Sequence, residues 1–344
     1  MRIIKRSICI IAAFIIIILT TACSDTGISE EPETSSFFAM DTYMTLTAYG
    51  DNGEEALKKA EEKVHNLDEL LSVSNKEGEI YALNASGEGK LGKDAAYILG
   101  RSIEICSMTD GCFNPMIYPL MEIWGFTDQN YKVPGESDIL SLLPLVSMDS
   151  VSFDSETGYV SFADDGMKID FGAIAKGYTS SVLMDIFKEC GIKSACVSLG
   201  GNVQVLGSKP DGSAWKVGIR DPYDPSGYLG ILSVAGKAVI TSGAYERYFE
   251  ENGIRYHHIL DPFTGYPADN GIDSVTVISD DGTLADGLST AIYVMGLDKA
   301  VNLWASGEAD FDMIIMTGDH ELYITSGIYK EFSPSGYHTN LITK

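Results

Sequence analysis

The sequence predicts an α+β fold whose sheets are largely antiparallel. Strand-like segments outnumber helix-like segments, and many of them follow one another in hairpin order. No internal repeat and no proline- or glycine-rich linker interrupts the body of the chain. We therefore expect one large domain in which mostly antiparallel sheets are flanked by helices.

Helices and strands are assigned from the spacing of apolar residues. The predicted helices are residues 54–72, 93–108, 175–190 and 284–296. The predicted strands are 42–50, 150–154, 159–163, 168–172, 194–201, 202–207, 215–220, 229–236, 238–243, 274–279, 312–317 and 321–326.

The N-terminus has the organisation of a secretory signal peptide. Three cationic residues precede a twelve-residue apolar run that ends at Leu19. A transmembrane helix needs about 20 residues, so this run is too short to span a bilayer comfortably. Small residues before Cys23 suit a lipoprotein cleavage site, so we predict a signal peptide at 1–22 and an acylated Cys23. Plain secretion is the alternative; acylation would hold the protein at the outer face of the cell membrane.

The segment after the leader is polar and acidic. Residues 23–36 are predicted to form a flexible tether, and 37–344 the folded domain. The formal charge of the whole chain is −25, and loss of the three leader cations makes it −28. Such a charge argues against nucleic-acid binding, and a phosphate ligand would need a local cation.

The cysteines give no metal-binding spacing. Cys106, Cys112, Cys190 and Cys196 contain no CxxC pair, so a zinc site is not expected. Disulfides are possible in an exported protein, and free buried thiols are equally compatible with the sequence. The pairing of these cysteines stays open.

The predicted helix at 284–296 carries oxygen donors one turn apart. Asp286 and Thr290 project from the same face, with Ser289 beside them. A single carboxylate with hydroxyl groups is a sparse ligand set that suits Mg²⁺, an ion that keeps waters and takes oxygens from substrate phosphates. The alternative is an ordinary helix N-terminus in which Asp286 only complements the helix dipole.

Two glycine-containing junctions could contact a ligand, and the first of them could bind an anion. A predicted strand ends near Asp170 and passes through Gly172 into a helix that contains Lys176, which would supply a local cation. Neither a Walker loop nor the G-x-G-x-x-G pattern is present there, so a surface lysine is the alternative. Gly200 and Gly201 either form a hairpin turn or let a ligand approach the backbone.

The sequence HHILDPFTG, at 257–265, places two histidines before a turn. Pro262 and Gly265 favour the turn, which fixes the strand that leads into it. Neighbouring strand residues point to opposite faces, so only one of His257 and His258 can face a given cleft. That histidine could exchange a proton near neutral pH; the alternative is two half-exposed strand residues.

Six motifs in this order resemble the ApbE family of FAD:protein FMN transferases. They are Met40-Asp41-Thr42, residues 110–126, 170–178, 198–203, 257–265 and 285–291. The resemblance extends from about residue 37 to 330 and implies an ApbE-like fold of one large domain with two intimate subdomains. It also implies an enzyme that uses Mg²⁺ to move FMN from FAD to a threonine hydroxyl of a partner protein and releases AMP. Typical acceptors are flavin-carrying subunits of membrane oxidoreductases or extracellular electron-transfer proteins.

The resemblance also implies roles for individual residues. The implied metal ligands are Asp286, Thr290 and the carbonyl of Ala173, with Ser289 assisting. The implied FAD contacts are Met40, Cys112, Phe113, Asn114, Asp170, Lys176 and Ile259. The implied base that activates the threonine is His258, and His257 is expected to be its outward-facing neighbour.

Two positions depart from the pattern of the family. Ser74 replaces an aromatic residue that is frequent after the first long helix, and Asn114 stands where an acid is common. Either change could alter the affinity for FAD. Two other functions remain open: an FAD pyrophosphatase that gives FMN and AMP, and a flavin-binding lipoprotein without catalysis.

Overall fold

The computed structural model describes residues 31–344. The predicted signal peptide, Cys23 and most of the predicted tether lie outside the described residues. Within 31–344, no helix has the length and apolar character that are needed to cross a membrane.

The largest element is a nine-stranded sheet. Its strands, in spatial order, are β1 (Glu33–Ala39), β2 (Thr42–Tyr49), β6 (Ser194–Leu199), β7 (Asn202–Leu206), β10 (Ala238–Gly243), β13 (Ile272–Ser279), β14 (Asp312–Thr317), β15 (Leu322–Thr325) and β17 (Thr339–Ile342). Neighbouring strands are antiparallel, apart from the parallel pair β15 and β17.

Three small sheets complete the strand structure. One contains β3 (Glu88–Lys90), β5 (Tyr159–Phe162) and β4 (Val151–Asp154). Another contains β16 (Phe332–Pro334), β9 (Tyr228–Val234) and β8 (Trp215–Arg220). The third is a hairpin of β11 (Tyr248–Glu251) and β12 (Ile254–His257).

Eight helices occur among residues 31–344. They are α1 (Gly53–Leu71), α2 (Glu79–Ser86), α3 (Lys93–Met108), α4 (Tyr118–Trp124), α5 (Glu136–Leu142), α6 (Ala175–Glu189), α7 (Gly282–Met295) and α8 (Leu297–Ser306). Short 3₁₀ turns occur at Pro115–Ile117, Leu143–Leu145 and Met148–Ser150. The predicted α+β class is confirmed, and the four predicted helices are α1, α3, α6 and α7.

The predicted strand at 168–172 is wrong. The Asn84 side chain donates to the Ile169 carbonyl at 2.8 Å and accepts from the Ile169 N–H at 2.7 Å. The next N–H, of Asp170, donates to the Pro115 carbonyl. A side-chain amide and a loop carbonyl therefore take the hydrogen bonds that a neighbouring strand would make.

The fold begins before the predicted end of the tether. β1 starts at Glu33 and pairs with β2 from Glu33 opposite Ala48 to Ala39 opposite Thr42. Most side chains of β1 are exposed or half-buried, so backbone hydrogen bonds rather than apolar burial hold this edge strand. Residues 33–36 therefore belong to the sheet, although their composition resembles that of a tether.

The hairpin of β11 and β12 was not predicted. Its turn is Asn252-Gly253, with φ of 52° and 78°, and Asn-Gly is the preferred pair for a two-residue hairpin turn. The Phe249 ring stacks on Tyr131 at 5.4 Å and on Tyr256 at 5.3 Å between centroids. Tyr256 in turn packs against Trp124 of α4, so aromatic contacts attach the hairpin to the body.

Helices α6 and α7 cross at two glycines. A Cβ atom at Gly177 would lie 2.1 Å from the Gly282 carbonyl oxygen and 2.4 Å from the Asp286 Cβ. A Cβ at Gly282 would lie 2.4 Å from the Gln204 side-chain oxygen. Since real Cβ atoms do not approach other atoms so closely, glycine is required at both positions, and this contact fixes α7 against α6.

Candidate active site

One cleft of about 470 Å³ brings together residues from all six motifs. Eleven of the predicted site residues line it: Met40, Cys112, Phe113, Asn114, Asp170, Ala173, Lys176, His258, Ile259, Asp286 and Thr290. Gly200 and Gly201 form the β6–β7 hairpin turn, and Gly200 also lines the cleft. Approach of a ligand to this backbone stays a prediction. Segments far apart in the chain thus share one cavity, within the usual size range of roughly 300–1,000 Å³ for ligand sites.

Asp286 is a buried carboxylate with two hydrogen bonds. It is 4% exposed; its Oδ2 accepts from the Gly177 N–H at 2.7 Å and its Oδ1 from the Asn202 amide at 2.9 Å. Burial raises the pKa of the Asp286 carboxyl, whereas the charge of Lys176 and the two hydrogen bonds lower it. A carboxylate that is desolvated but rigidly held favours the binding of a cation.

The oxygens around Asp286 fit a magnesium ion. Gly177 lies in the first turn of α6, where N–H groups have no acceptor within the helix, and its N–H donates to Asp286 instead. Ala173 lies two residues before α6 and lines the same cleft, and its carbonyl is the implied third oxygen. Together with the half-buried Thr290 hydroxyl one turn along α7, the set is one carboxylate, one carbonyl and one hydroxyl. These are hard oxygen ligands, and their small number suits an ion that retains waters.

Ser289 lies behind the cleft. It is 0% exposed, and its hydroxyl donates to the Asp286 carbonyl and pairs with the Ser242 hydroxyl, both at 2.8 Å. Ser242 also lies 3.3 Å from the Thr290 hydroxyl. Ser289 therefore contacts Ser242, which in turn contacts Thr290. Ser289 can orient Thr290 in this way, but it does not reach the cleft as a metal ligand.

Three cations line the cleft of this strongly acidic chain. They are Lys176, at the start of α6, Arg220, at the end of β8, and Arg247, before β11. Within residues 31–344 none of the three forms an ion pair with a carboxylate. These cations share the cleft with the carboxyl groups of Asp41, Asp170, Glu246 and Asp286, and they supply the local positive charge that a diphosphate ligand would need in such surroundings.

The two neighbouring histidines have separate environments. The His258 ring lines the cleft, and its Nδ1 lies 3.1 Å from the Arg247 carbonyl oxygen. Since a carbonyl can only accept, Nδ1 carries the proton and Nε2 keeps a free lone pair. Burial and, after it, the charge of Arg247 together lower the pKa of His258 to about 3, so the ring is neutral at pH 7.

The predicted outward orientation of His257 is wrong. Its ring is 8% exposed, lies 5.5 Å from the Tyr293 ring of α7 and places Nε2 3.1 Å from the Ala268 carbonyl oxygen. The alternation of a strand does send the two histidines to opposite sides, as predicted. The second side, however, is the protein core between β12 and α7 and not the solvent.

Asn114 and Asp170 organise the loops of the cleft. Asn114 accepts from the Met116 N–H at 3.0 Å and donates its amide to the Val146 carbonyl at 3.2 Å. An acid at 114 could not make the second bond, because a carboxylate has no donor. Asp170 accepts from the Gly172 N–H at 2.8 Å, and burial raises the pKa of its carboxyl.

The four cysteines of the described chain are unpaired, and Ser74 lies outside the cleft. Cys106, Cys112, Cys190 and Cys196 are all free thiols in the described part of the chain. Burial raises the pKa of Cys106 and of Cys196 to about 11, so these thiols are poor nucleophiles. Ser74 hydrogen-bonds Ser72 and does not line the cleft.

Known proteins match this chain over most of its length. The sequence model of the ApbE family matches residues 40–315. The chain belongs to the ApbE family. A relative from Klebsiella pneumoniae (strain 342), named FAD:protein FMN transferase, is 36% identical over 280 residues, which cover 80% of this chain and 86% of the relative.

Two further ApbE-family comparisons agree. A protein of the same name from Treponema pallidum (strain Nichols) is 34% identical over 251 residues, covering 68% of this chain and 69% of the relative. The crystal structure of the ApbE protein from Thermotoga maritima MSB8 superimposes with a TM-score of 0.82 at 29% identity. That match covers 88% of this chain and 99% of the other. The ApbE fold is therefore shared along nearly the whole described chain.

Several cleft residues of this ApbE-family chain were not predicted. Arg220 ends a strand that belongs to a different sheet, and Tyr245, Glu246 and Arg247 lie between β10 and the unpredicted hairpin. The available signal was the segment AYERY at 244–248, which places aromatic and charged residues directly after a buried strand. Once the Asn-Gly hairpin is recognised, this segment must lead from the central sheet to His258.

Proposed function

We propose that this ApbE-family chain transfers FMN from FAD to a threonine hydroxyl of a partner protein, with Mg²⁺ bound, and releases AMP. One observation supports this function above all: Asp286, Lys176 and His258, from three distant segments, line one cleft. They supply a carboxylate for a cation, a cation for phosphate and a neutral imidazole for a proton. Phosphoryl transfer depends mainly on such positioning and charge neutralisation.

The residues that would hold Mg²⁺ are Asp286, Thr290 and the carbonyl of Ala173. When bound, the ion would neutralise charge on the phosphates of FAD. Hydrogen bonds from Gly177 and Asn202 already fix the carboxylate, so it need not reorient during the reaction. Lys176, one residue before Gly177, adds positive charge on the same side of the cleft.

His258 would act on the acceptor hydroxyl. Its free Nε2 can accept the hydroxyl proton while the hydroxyl oxygen attacks the phosphorus next to the flavin. The bond between that phosphorus and the bridging oxygen breaks, and AMP leaves with the bonding electrons. The charges of Arg247 and Lys176 lower the pKa of His258. Anionic phosphates beside these two cations would oppose that effect and make the ring a stronger base.

The compartment and the partner are also proposals. An acylated Cys23 followed by a short acidic tether would hold the cleft near the outer face of the cell membrane. Acceptors would then be exported or membrane-bound proteins of an electron-transfer system. Labelling cells with a radioactive fatty acid tests the anchor, since Cys23→Ala should abolish the label and release the protein.

The central test is covalent flavin transfer in vitro. The purified chain is incubated with FAD, Mg²⁺ and an exported flavoprotein that carries a serine- or threonine-rich flavinylation segment. We expect flavin fluorescence on the acceptor band in a denaturing gel, and AMP in equal amount. Replacing the acceptor threonine by valine should remove the fluorescence, because valine keeps the shape but has no hydroxyl.

The same assay separates the competing functions. Consumption of FAD to free FMN and AMP, with no labelled acceptor, would identify a pyrophosphatase. Binding of FAD without any AMP would identify a flavin-binding protein that lacks catalysis. Either result would contradict the transferase.

A further inference from the structure

Two arginines belong to the region of the hairpin of β11 and β12: Arg255 lies within it, and Arg247 directly precedes it. Arg255, on β12, reaches Glu250 at 3.3 Å and lies 4.1 Å from the centroid of the Tyr248 ring. Arg247, just before β11, lines the cleft; among residues 31–344 it forms no ion pair within 4 Å, although its charge acts on the buried carboxyl groups of Asp170 and Glu246. The two arginines thus belong to one region but differ in what their guanidinium groups face.

Arg247 is also tied to the candidate base. Its carbonyl oxygen accepts from the His258 backbone N–H and from His258 Nδ1, both at 3.1 Å. The residue that fixes the imidazole by its backbone therefore places its side chain in the same cavity. Of the charges that act on His258, that of Arg247 has the largest effect on the ring.

We infer that the Arg247 guanidinium is a catalytic residue that binds the flavin-side phosphate of FAD where the acceptor hydroxyl attacks. This inference rests on the proposed function and adds a residue to it. A guanidinium offers parallel N–H donors that match two phosphate oxygens, whereas an ammonium acts as a point charge. Lys176 lies one residue before Gly177, whose N–H binds Asp286, and its charge acts on His258 less strongly than that of Arg247.

The bond changes define what Arg247 contributes. The hydroxyl oxygen forms a bond to the flavin-side phosphorus, the bridging P–O bond breaks, and the hydroxyl proton moves to His258 Nε2. Negative charge stays on the non-bridging oxygens of that phosphate throughout the step. A fixed guanidinium at these oxygens stabilises the transition state without needing to rearrange.

The test compares Arg247→Gln and Arg247→Lys with the matched control Arg255→Gln in the full chain. The probe is FAD with Mg²⁺, and AMP release is followed with and without an acceptor. We expect Arg247→Gln to lower kcat roughly 10²–10³-fold. Because Lys176 and Arg220 remain, its Kd for FAD should change less than about tenfold. Arg247→Lys should recover part of the loss, since lysine keeps the positive charge but lacks the two parallel N–H donors of the guanidinium.

A separate readout excludes a merely structural role. Every substitution at 247 keeps the backbone carbonyl that holds His258, so a positioning role through the backbone predicts parental kcat. Loss of the guanidinium charge should also raise the pKa of His258 above about 3, as followed by NMR of the ring protons. Arg255→Gln should change neither quantity.

The outcomes are distinguishable from failure of the proposed function. If no acceptor is labelled but AMP release from FAD falls in Arg247→Gln, the transferase proposal fails and the role of Arg247 stands. Parental kcat in Arg247→Gln, a loss confined to the Kd for FAD, or an equal loss in Arg255→Gln would each overturn the role. Absence of any AMP release from the parent protein would overturn both.

Discussion

The cleft has two unlike walls. On one side, α6 and α7 cross at Gly177 and Gly282 with no space for a methyl group, and Asp286 is buried with both oxygens bonded. On the other side, the hairpin of β11 and β12 is flanked by Arg247 and the half-buried His258 at the edge of the body. The first wall consists of two closely packed helices. The second is a short exposed hairpin that contacts the body of the protein through aromatic rings.

The difference follows from the chemistry of each group. Burial of a carboxylate costs free energy unless the carboxylate oxygens accept hydrogen bonds, so the donors around it must be held at hydrogen-bonding distance. A neutral imidazole costs little free energy to bury in part, and under the proposed function it would have to stay accessible to the acceptor protein. A single carbonyl, that of Arg247, binds both the backbone N–H of His258 and Nδ1 of its ring. We therefore expect substitutions in the packed wall to affect folding and activity together, and substitutions in the hairpin to affect mainly activity.

Asp286→Asn should have the largest effect on activity. It removes the one carboxylate of the proposed metal site, and we expect kcat/KM to fall roughly 10⁴-fold, or about 5 kcal/mol. One oxygen would also be replaced by an amide that faces an N–H donor, which should cost about 1–3 kcal/mol of stability. AMP release over a range of Mg²⁺ concentrations and urea unfolding measure the two effects.

Asp281→Asn is the matched control on the same helix. Asp281 caps α7 by accepting from Thr283 and Leu284, and it pairs with Arg101 outside the cleft. Asparagine retains the cap, so the change should cost at most about 1 kcal/mol of stability and leave kcat unaltered. An equal loss of kcat in Asp286→Asn and Asp281→Asn would contradict the proposed role of Asp286 as a metal ligand.

His258→Gln should have the next largest effect. Glutamine keeps the length and polarity of the side chain but cannot take a proton, so we expect kcat to fall about 10²–10³-fold with little change in thermal stability. His257→Gln, at the adjacent buried position, should show the reverse: parental kcat and a lower Tm. If His257→Gln were the more damaging for kcat, the base would be misassigned.

Two glycine substitutions compare the walls directly. Gly177→Ala puts a methyl group into the helix crossing and should cost about 3 kcal/mol, with activity lost because Asp286 moves. Gly253→Ala only strains the hairpin turn, where φ is 78°, and should cost about 1 kcal/mol. Gly89→Ala, where no atom lies within 4 Å of the added carbon, is the control. Chemical denaturation measures the free energy of unfolding of the three variants. Equal losses of stability in Gly177→Ala and Gly253→Ala would contradict the difference between the two walls.

The smallest expected effect is a pH dependence of stability. The pKa of His258 is depressed to about 3 in the fold from about 6.5 in an unfolded chain. At pH values between these two pKa values, the folded state binds fewer protons than the unfolded chain. The free energy of unfolding is therefore highest above pH 6.5 and falls as the solution is acidified. Between pH 7 and 5 the parent should lose about 2 kcal/mol more than His258→Gln. Parallel stability curves for the two proteins would contradict the burial of this ring.

The sequence was most informative where local spacing carries the signal. The helices at 54–72, 93–108, 175–190 and 284–296 depend on apolar periodicity, and the structure contains all of them within two residues at each end. It was least informative where long-range hydrogen bonds decide the conformation. The loop at 168–172 alternates like a strand, but Asn84 and Pro115 take its hydrogen bonds.

By itself, the sequence determined the α+β class, the helices and the residue types that could hold a cation, a phosphate and a proton. Only the tertiary structure decided that Ser289 faces away from the cleft, that His257 enters the core, and that Arg220 and Arg247 join Lys176. Periodicity specifies which face of an element is apolar, but not which other element covers that face. The members of the site come from separate elements, so their meeting depends on the packing of helices and sheets as a whole.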